Sequence, residues 1–260
     1  MITLQLVGGG KMGQALLGGL IKAGWAEPSE LLVAEVSAPG RDALRSMFPG
    51  IQVSDTPANG VDTLVATKPH IVTDVCSALV DPKRVLSIAA GITIETIESS
   101  LPAGVPVVRV MPNTPSLVGA GASALAPGTS AEPADVEWAE SILSAVGEVV
   151  VVGEHLLDAV TGLSGSGPAY IFLIIEAMID AGVSAGLPAD VAATLARQTV
   201  LGAARLASES AQSPAELRAG VTTPAGTTAA GLRVLEQRAV RAALIDAVAA
   251  AAHRSKEMGS

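Results

Sequence analysis

Aromatic residues, cysteine and positive charge are scarce in this chain, and each scarcity excludes a class of function. Phe, Trp and Tyr make up 2% of the 260 residues, which leaves little for base stacking or for an aromatic cage around a cation. The formal net charge is -9 and the basic residues are scattered, so neither nucleic acid nor an anionic membrane is an expected partner. The single cysteine, Cys76, excludes an intrachain disulfide and is typical of a reducing cytoplasm.

Residue patterns for metal binding and for nucleophilic catalysis are also missing from the sequence. The histidines His70, His155 and His253 are isolated and have none of the spacings of a metal site. Residues 162–166 come close to the G-x-S-x-G nucleophile elbow, but the last position is serine. The chain enters a predicted strand at once, so we expect no signal peptide. The absence of metal-binding and nucleophile patterns favours chemistry in which a bound cofactor carries the reactive atom.

A glycine-rich turn near the N-terminus is the strongest local signal. Residues 2–7 predict a buried strand, and an apolar helical pattern follows the turn as far as Ala23. Between them Gly8, Gly10 and Gly13 form the pattern G-x-G-x-x-G in its proper context. Gly8 permits the tight turn, Gly10 lets backbone N–H groups approach a pyrophosphate, and Gly13 lets the helix pack on the strand. The turn therefore predicts a dinucleotide site at a helix N-terminus.

The residues after the second predicted strand, 31–36, give conflicting indications of which dinucleotide binds. Glu35 ends that strand, where an acid accepts hydrogen bonds from the ribose 2′-hydroxyl of NAD(H). Ser37 and Arg41 follow closely and suit the 2′-phosphate of NADP(H). These residues alone leave both cofactors open.

Further strand patterns alternate with helical ones through the first 162 residues. Strands are predicted at 62–66, 84–89, 106–111 and 148–152, and a helix at 132–146. Ligands of open parallel sheets bind beyond the carboxyl ends of the strands, and residues 67–69, 90–91 and 112–115 fall at such ends. Residues 1–162 are therefore predicted to form an α/β Rossmann domain.

An almost wholly apolar stretch, residues 163–182, separates this region from one without strand patterns. From Ala169 to Ala181 it is apolar on nearly all sides of the predicted helix. It is too short to span a bilayer and is interrupted by Glu176 and Asp180, so it requires burial by protein. Alanine-rich helical patterns follow at 188–207 and 238–253, interrupted by the Thr-, Pro- and Gly-rich segment 221–228. Residues 163–260 are therefore predicted to form an all-α domain that a second copy of the chain covers, and the interruption is a candidate functional loop.

Five motifs, in this order, resemble those of the pyrroline-5-carboxylate reductases. They are G-x-G-x-M-G at 8–13, A-T-K-P at 66–69, M-P-N-T-P at 111–115, L-S-G-S-G-P-A-Y at 163–170 and T-P-A-G-T-T at 223–228. The resemblance covers nearly the whole chain and implies a Rossmann domain followed by a helical dimerisation domain. It also implies a cytoplasmic, NADP(H)-dependent reductase, with NAD(H) as the second candidate, acting on a small cyclic imine. The assembly it implies is a homodimer that can associate into a homodecamer, with the active site at the dimer interface.

The resemblance assigns roles to individual residues. Thr228 is implied to be catalytic, with its hydroxyl near the imine nitrogen, and Gly226 and Thr227 to bind the substrate carboxylate with it. The predicted cofactor-binding residues are Gly8, Gly10, Lys11, Met12, Gly13, Glu35, Ser37, Arg41, Ala66, Thr67, Lys68, Pro69, Ile88, Ala89, Ala90 and Asn113. Of these, Glu35, Ser37 and Arg41 are selected by their position after the second predicted strand, and Glu35 is less typical of the family members that prefer NADPH. No metal is implied.

The chain departs from the family's pattern at two positions. Ala225 stands where the family usually has glycine, so the freedom of φ that glycine provides is lost there. Thr67 replaces the usual valine. Two other functions remain open. The first is a Rossmann hydroxy-acid dehydrogenase, which would require a Lys or His base that is not evident in the helical region. The second is a non-catalytic dinucleotide sensor, which would not require Thr228 or Asn113.

Overall fold

A computed structural model of the protein describes residues 1–259, which fall into two compact units. The first unit comprises Met1–Ser166 and residues 249–259, and the second comprises Gly167–Val248. All the strands lie in the first unit, and the second unit is helical. The predicted fold class, a Rossmann domain plus an all-α domain, is confirmed.

Eight strands form a single sheet in the order β3-β2-β1-β4-β5-β6-β7-β8. They are β1 (Leu4–Val7), β2 (Leu31–Ala34), β3 (Gln52–Ser54), β4 (Thr63–Val65), β5 (Val85–Ser87), β6 (Val107–Met111), β7 (Gly121–Pro127) and β8 (Gly147–Val151). The first six strands have the doubly wound 3-2-1-4-5-6 order, whose direction reverses between β1 and β4. All neighbouring strands are parallel except β6 and β7.

Two of these strands are absent from the sequence-based prediction. The edge strand β3 has three residues, and β7 consists mostly of small residues with little β propensity. The β7 strand also runs antiparallel to β6, so the sheet is not parallel throughout. By contrast, each residue of β1 is buried, as an apolar run in a central parallel strand predicts.

Helices and short turns connect the strands of the first unit. The α-helices are α1 (Lys11–Lys22), α2 (Ala38–Met47), α3 (Val72–Ala78), α4 (Ile94–Ser99), α5 (Pro133–Leu143) and α6 (Leu157–Val160). The 3₁₀ turns are Pro28–Glu30, Pro69–Ile71, Thr114–Val118 and Glu154–Leu156, and a π-helical turn occupies Thr161–Gly165.

The first unit closes its hydrophobic core within one chain. Leu16 and Leu20 of α1 belong to the same buried cluster as Leu6 of β1 and Leu143 of α5, and all four side chains are fully buried. A second cluster on the sheet contains Cys76. Burial raises the pKa of the Cys76 thiol to about 11, because an apolar environment disfavours the thiolate. This cysteine is therefore an unreactive core residue.

The second unit is built from helices alone. They are α7 (Gly167–Ser184), α8 (Ala189–Glu209), α9 (Pro214–Gly220), α10 (Thr227–Gln237) and the first part, residues 240–248, of α11 (Val240–Met258). Small residues let α7 and α8 approach each other, since a Cβ added to Gly182 would lie 3.0 Å from the Ala192 Cβ. Ala192 and Ala196 are the two buried residues of α8.

The apolar helix α7 is not covered within a single chain. Its side chains include Phe172 and Leu173, which are 59% and 66% exposed. None of its residues is buried. A helix of this composition is stable in water only when its apolar surface is covered, so the covering surface must come from another chain.

Candidate active site

The glycine turn after β1 adopts the geometry that its sequence predicts. Gly8 has a φ of +105°, and a Cβ there would lie 2.8 Å from the Ala66 carbonyl oxygen. A Cβ on Gly13 would lie 2.6 Å from the Gly8 carbonyl oxygen, so glycine is required for α1 to pack against the turn. Both positions exclude any larger residue.

The N-terminus of α1 presents unpaired backbone donors to the space above the sheet. Gly10 is the N-cap and provides no side chain to cap the helix, and Lys11 and Met12 form its first turn with Gly13. A Cβ on Gly10 would meet no atom within 4 Å, so the space beside Gly10 is open. The free donors and the positive end of the helix dipole fit a pyrophosphate.

A cleft of about 470 Å³ opens along the carboxyl ends of β1, β2 and β4. Six of the predicted cofactor residues line it: Gly8, Gly10, Glu35, Ala66, Thr67 and Lys68. Pro69 begins the adjoining 3₁₀ turn. The structure thus brings together residues that are up to 60 positions apart in the sequence, at the edge where a parallel sheet binds ligands.

Apolar side chains that have no recognisable signature in the sequence also line this cleft. Val36 is 86% exposed, and Ile71 is also exposed. Exposed valine and isoleucine side chains beside a polar loop are suited to the faces of an adenine ring. Their neighbours Glu35 and Lys68 carried the recognisable motifs, whereas an isolated apolar residue at a strand end has no signature of its own.

The Glu35 carboxylate connects the glycine turn to the start of α2. It accepts hydrogen bonds from the Gly9 N–H at 3.0 Å and from the Ser37 N–H at 2.8 Å. Ser37 caps α2 through its hydroxyl, which accepts from the Gly40 N–H at 3.3 Å. One carboxylate therefore fixes both the glycine turn and the segment that leads into α2.

Arg41 lies at the same strand end as Glu35. Its guanidinium donates to the carbonyl oxygens of Glu35 and Val36, both at 2.9 Å. These contacts hold the positive charge beside the end of β2. The residues predicted to favour NAD(H) and those predicted to favour NADP(H) therefore lie at the end of the same strand.

The remaining predicted cofactor residues lie outside the glycine cleft, at the ends of β5 and β6. Ile88 and Ala89 follow β5, and Ala90 lines a separate cleft of about 190 Å³. The residues Thr161 and Ser166 at the π-helical turn line that second cleft too. The sequence offers no signal for this proximity, because the residues are some 70 positions apart.

Asn113 joins the end of β6 to the π-helical turn. Its side chain is buried, donates to the Ser164 carbonyl oxygen at 3.1 Å and accepts from the Ala122 N–H at 2.9 Å. The turn itself is closed by the Ser166 N–H, which donates to the Thr161 carbonyl oxygen at 2.8 Å. Asn113 therefore fixes the local backbone, and its contact with a cofactor stays a prediction. Single π-helical turns occur often at functional sites.

In the second unit, residues 223–226 form a tight turn before α10. The Gly226 N–H donates to the Thr223 carbonyl oxygen at 3.0 Å. Ala225 takes a φ of +61°, the left-handed region that glycine adopts without strain. A Cβ on Gly226 would collide with the Thr223 hydroxyl and lie 3.1 Å from the Thr223 carbonyl oxygen, so a larger residue here would require the Thr223 side chain to move. The turn keeps a glycine-like geometry despite the alanine.

The N-terminus of α10 follows this turn and lies at a surface of the second unit. Gly226 is its N-cap without a capping side chain, and Thr227 and Thr228 are the first two helical residues. Thr227 is exposed, and Thr228 is half-buried. Their backbone N–H groups lack partners within the helix and suit a carboxylate.

No group of three or more His, Cys, Asp and Glu residues suited to a metal ion occurs among residues 1–259. The titratable groups of the glycine cleft are Glu35, Lys68 and His70.

Comparison with known proteins assigns both regions of the chain. Residues 154–258 match the family model described as "Pyrroline-5-carboxylate reductase dimerisation", and residues 3–91 match the one described as "NADP oxidoreductase coenzyme F420-dependent". The pyrroline-5-carboxylate reductase of Methanosarcina acetivorans is 48% identical over 264 residues, which cover 98% of this chain and 97% of the relative.

Solved structures agree along the full length of the chain. A pyrroline-5-carboxylate reductase from Coxiella burnetii superposes with a TM-score of 0.91 at 38% identity, covering 100% of this chain and 99% of that one. The pyrroline carboxylate reductase of Plasmodium falciparum, solved with NADP bound, gives a TM-score of 0.84 at 30% identity, covering 100% and 98%.

Proposed function

The chain belongs to the pyrroline-5-carboxylate reductase family, and we propose that its two regions divide the work of that enzyme. It catalyses the NAD(P)H-dependent reduction of 1-pyrroline-5-carboxylate to L-proline, the last step of proline biosynthesis. We assign residues 1–162 to the binding of the cofactor and residues 163–260 to dimerisation and substrate binding. The observation that carries this assignment is the open glycine cleft at the α1 N-terminus, formed entirely within the first unit.

The first unit holds the dinucleotide by its backbone more than by its side chains. The N–H groups at the start of α1 bind the pyrophosphate, and Ala66 to Pro69 line the path of the nicotinamide ribose. NADP(H) is bound by members of the family, and we propose it as the preferred cofactor, with Ser37 and Arg41 beside its 2′-phosphate. Glu35 opposes that phosphate by like charge, which leaves NAD(H) as the second cofactor.

The second unit holds the substrate. The N–H groups of Gly226, Thr227 and Thr228 bind the substrate carboxylate at the positive end of α10. The Thr228 hydroxyl forms a hydrogen bond with the ring nitrogen and fixes the orientation of the C=N bond.

The reduction adds one hydride and one proton across that C=N bond. The reduced nicotinamide, when bound, supplies the hydride to the imine carbon. The proton arrives on the nitrogen with the substrate or through water, because the pKa of a threonine hydroxyl lies far above 7. Thr228 therefore orients and stabilises the iminium, and most of the rate comes from positioning.

The enzyme is a homo-oligomer, in agreement with the dimerisation domain and with the exposed surface of α7. We propose a homodimer as the functional unit and a homodecamer as its larger assembly. The helical run Glu154–Ser184 has 31 residues and is, by length and composition alone, long and apolar enough to cross a membrane. It is longer than the stretch 163–182 because α6 and the π-helical turn precede α7. We attribute its apolar character to dimerisation, and we place the soluble enzyme in the cytoplasm.

The direct test is to mix the purified protein with NADPH and 1-pyrroline-5-carboxylate and to follow absorbance at the wavelength of the reduced nicotinamide. We expect NADPH oxidation that depends on the imine, with proline as the product. Cofactor binding without turnover would favour the dinucleotide sensor. Turnover with hydroxy acids and not with the imine would favour the dehydrogenase.

A further inference from the structure

The side chain of Thr67 carries a buried hydroxyl with no partner. Among residues 1–259, three buried side-chain polar atoms lack a hydrogen bond: Thr67 Oγ1, Ser116 Oγ and Trp138 Nε1. Of these three residues, Thr67 is the one that lines the glycine cleft. A buried hydroxyl without a partner is destabilising, so a valine of the same shape would give a more stable protein at this position.

Thr67 stands directly beside the turn that faces the pyrophosphate. Its Cγ2 lies 3.1 Å from the position that a Cβ on Gly8 would take, and its backbone continues from Ala66, whose carbonyl oxygen approaches Gly8 most closely. The hydroxyl is bonded to the same carbon as this methyl group. The hydroxyl is therefore beside the glycine turn. Thr67 follows β4 and Glu35 follows β2, and these two strands lie on opposite sides of β1 in the sheet.

We infer that the Thr67 hydroxyl forms a hydrogen bond with the ribose–pyrophosphate part of the bound dinucleotide. This inference rests on the proposed function, since it requires that the cleft binds NAD(P)H. The oxygen is covered in this structure, and a rotation about χ1 between staggered positions turns it towards the cleft. The cofactor then supplies the missing partner, and the cost of the unpaired hydroxyl is removed on binding.

The inference predicts effects of opposite sign on stability and on affinity for one substitution. Thr67→Val keeps the shape and removes the hydroxyl, so the free protein should melt at the same or a higher temperature. Its Kd for NADPH and for NADH should rise about three- to thirtyfold, with the ratio between them unchanged. A hydroxyl with a purely structural role would leave the Kd values unaltered.

Shorter ligands locate the contact on the cofactor. ADP-ribose contains the pyrophosphate and both riboses without the nicotinamide, and it should lose affinity for Thr67→Val by the same factor as NADPH. Adenosine 2′,5′-bisphosphate lacks the pyrophosphate and the second ribose, and its Kd should stay within about twofold of the wild-type value.

Two further variants serve as controls for the hydroxyl itself. Thr67→Ser restores the hydroxyl and should restore NADPH affinity. Ser116→Ala removes another unpaired hydroxyl, one outside the glycine cleft, and should leave NADPH affinity unchanged.

The decisive measurement is isothermal titration of NADPH, NADH and ADP-ribose into the wild type and the three variants, with melting temperatures of the free proteins. Equal Kd values for the wild type and Thr67→Val, with NADPH bound by both, would overturn the inference and leave the proposed function intact. Failure of the wild type to bind NADPH would contradict the proposed function itself.

Discussion

The two units of this chain differ in how much of their apolar surface they bury within a single chain. The first unit encloses large apolar residues such as Leu6, Leu16 and Ile142, which are inaccessible to solvent within one chain. The second unit, Gly167–Val248, buries only Ala192 and Ala196, although most of its helices carry large apolar side chains. The first unit thus completes its hydrophobic core within one chain, whereas the apolar surface of the second unit requires another chain to cover it.

This difference bears on the division of function. The cofactor cleft needs residues of the first unit alone, so its geometry is fixed before assembly. The turn that we assign to the substrate lies in the second unit, whose helices are covered only in the oligomer. We therefore expect cofactor binding to survive dissociation and catalysis to be lost.

A charge placed on α7 should have the largest effect. Phe172→Glu puts a carboxylate on a surface that we expect to be buried between chains, at a cost of several kcal/mol per subunit. We expect dissociation to monomers in sedimentation velocity and a loss of reductase activity of roughly a hundredfold or more. Cys76 should stay unreactive towards thiol reagents, because the first unit remains folded.

The matched control places the same charge on the first unit. Val80 is 58% exposed, nearly the same as Phe172, and Val80→Glu should leave assembly and activity unchanged. Dissociation by both variants, or by neither, would show that α7 is not the surface that joins the chains.

Removal of one hydroxyl from the substrate turn should have the next largest effect. Thr228→Val keeps the β-branched shape and deletes the group that we place at the imine nitrogen. We expect kcat/KM to fall about ten- to a hundredfold, equivalent to about 1–3 kcal/mol, with the NADPH Kd unchanged. Thr227→Val is the control, since that position acts through its backbone. Equal losses in both variants would mean that the turn has only a structural role or that the wrong threonine is assigned.

How much of this site the sequence predicts depends on the range of the interactions involved. Gly8 and Gly13 can be identified from the sequence because the local backbone geometry permits only glycine at these positions. In the structure, a Cβ at either position would collide with a backbone carbonyl oxygen. The alanine at position 225, where the family usually has glycine, is likewise a local feature, and in the structure this residue has a positive φ. Local requirements of this kind leave a signature in the sequence itself.

Features formed between distant segments were not predictable in this way. The strand β7 is made of small residues with weak propensity and is stabilised by pairing with β6 and β8. The contact of Asn113 with Ser164 joins positions 51 residues apart, and the pattern of neither segment anticipates it. The same holds for Met258 of the C-terminal helix, which lies next to Gly91 after β5.

Relief of the strain at Ala225 should have a smaller effect. An alanine in the left-handed region destabilises the folded state by about 1–2 kcal/mol. Replacing it with glycine removes this strain but also increases the entropy of the unfolded chain, which offsets part of the stabilisation. Ala225→Gly should therefore raise the free energy of unfolding by about 0.5–1 kcal/mol, measured by denaturant titration at fixed protein concentration. The control Ala229→Gly, inside α10, should lower it by a similar amount. A destabilised Ala225→Gly protein would show that the turn does not hold this φ.

Loss of charge at Glu35 should have the smallest effect. Glu35→Gln removes the like charge that opposes a 2′-phosphate, so the ratio of NADPH to NADH affinity should rise about two- to fivefold. The amide retains one acceptor for the N–H groups of Gly9 and Ser37, so binding of both cofactors should also weaken slightly. An unchanged ratio in titration calorimetry would show that Glu35 serves the glycine turn and not cofactor choice.

The central claim, that the first unit folds alone and the second unit needs another chain, is tested most directly by hydrogen–deuterium exchange on the Phe172→Glu protein. At a concentration where sedimentation shows a monomer, we expect amides of β1, β4 and β5 to remain as protected as in the wild type. Amides of α7 and α8 should exchange far faster than in the wild type, because nothing covers those helices. A monomer whose α7 and α8 amides keep their wild-type protection would contradict the claim.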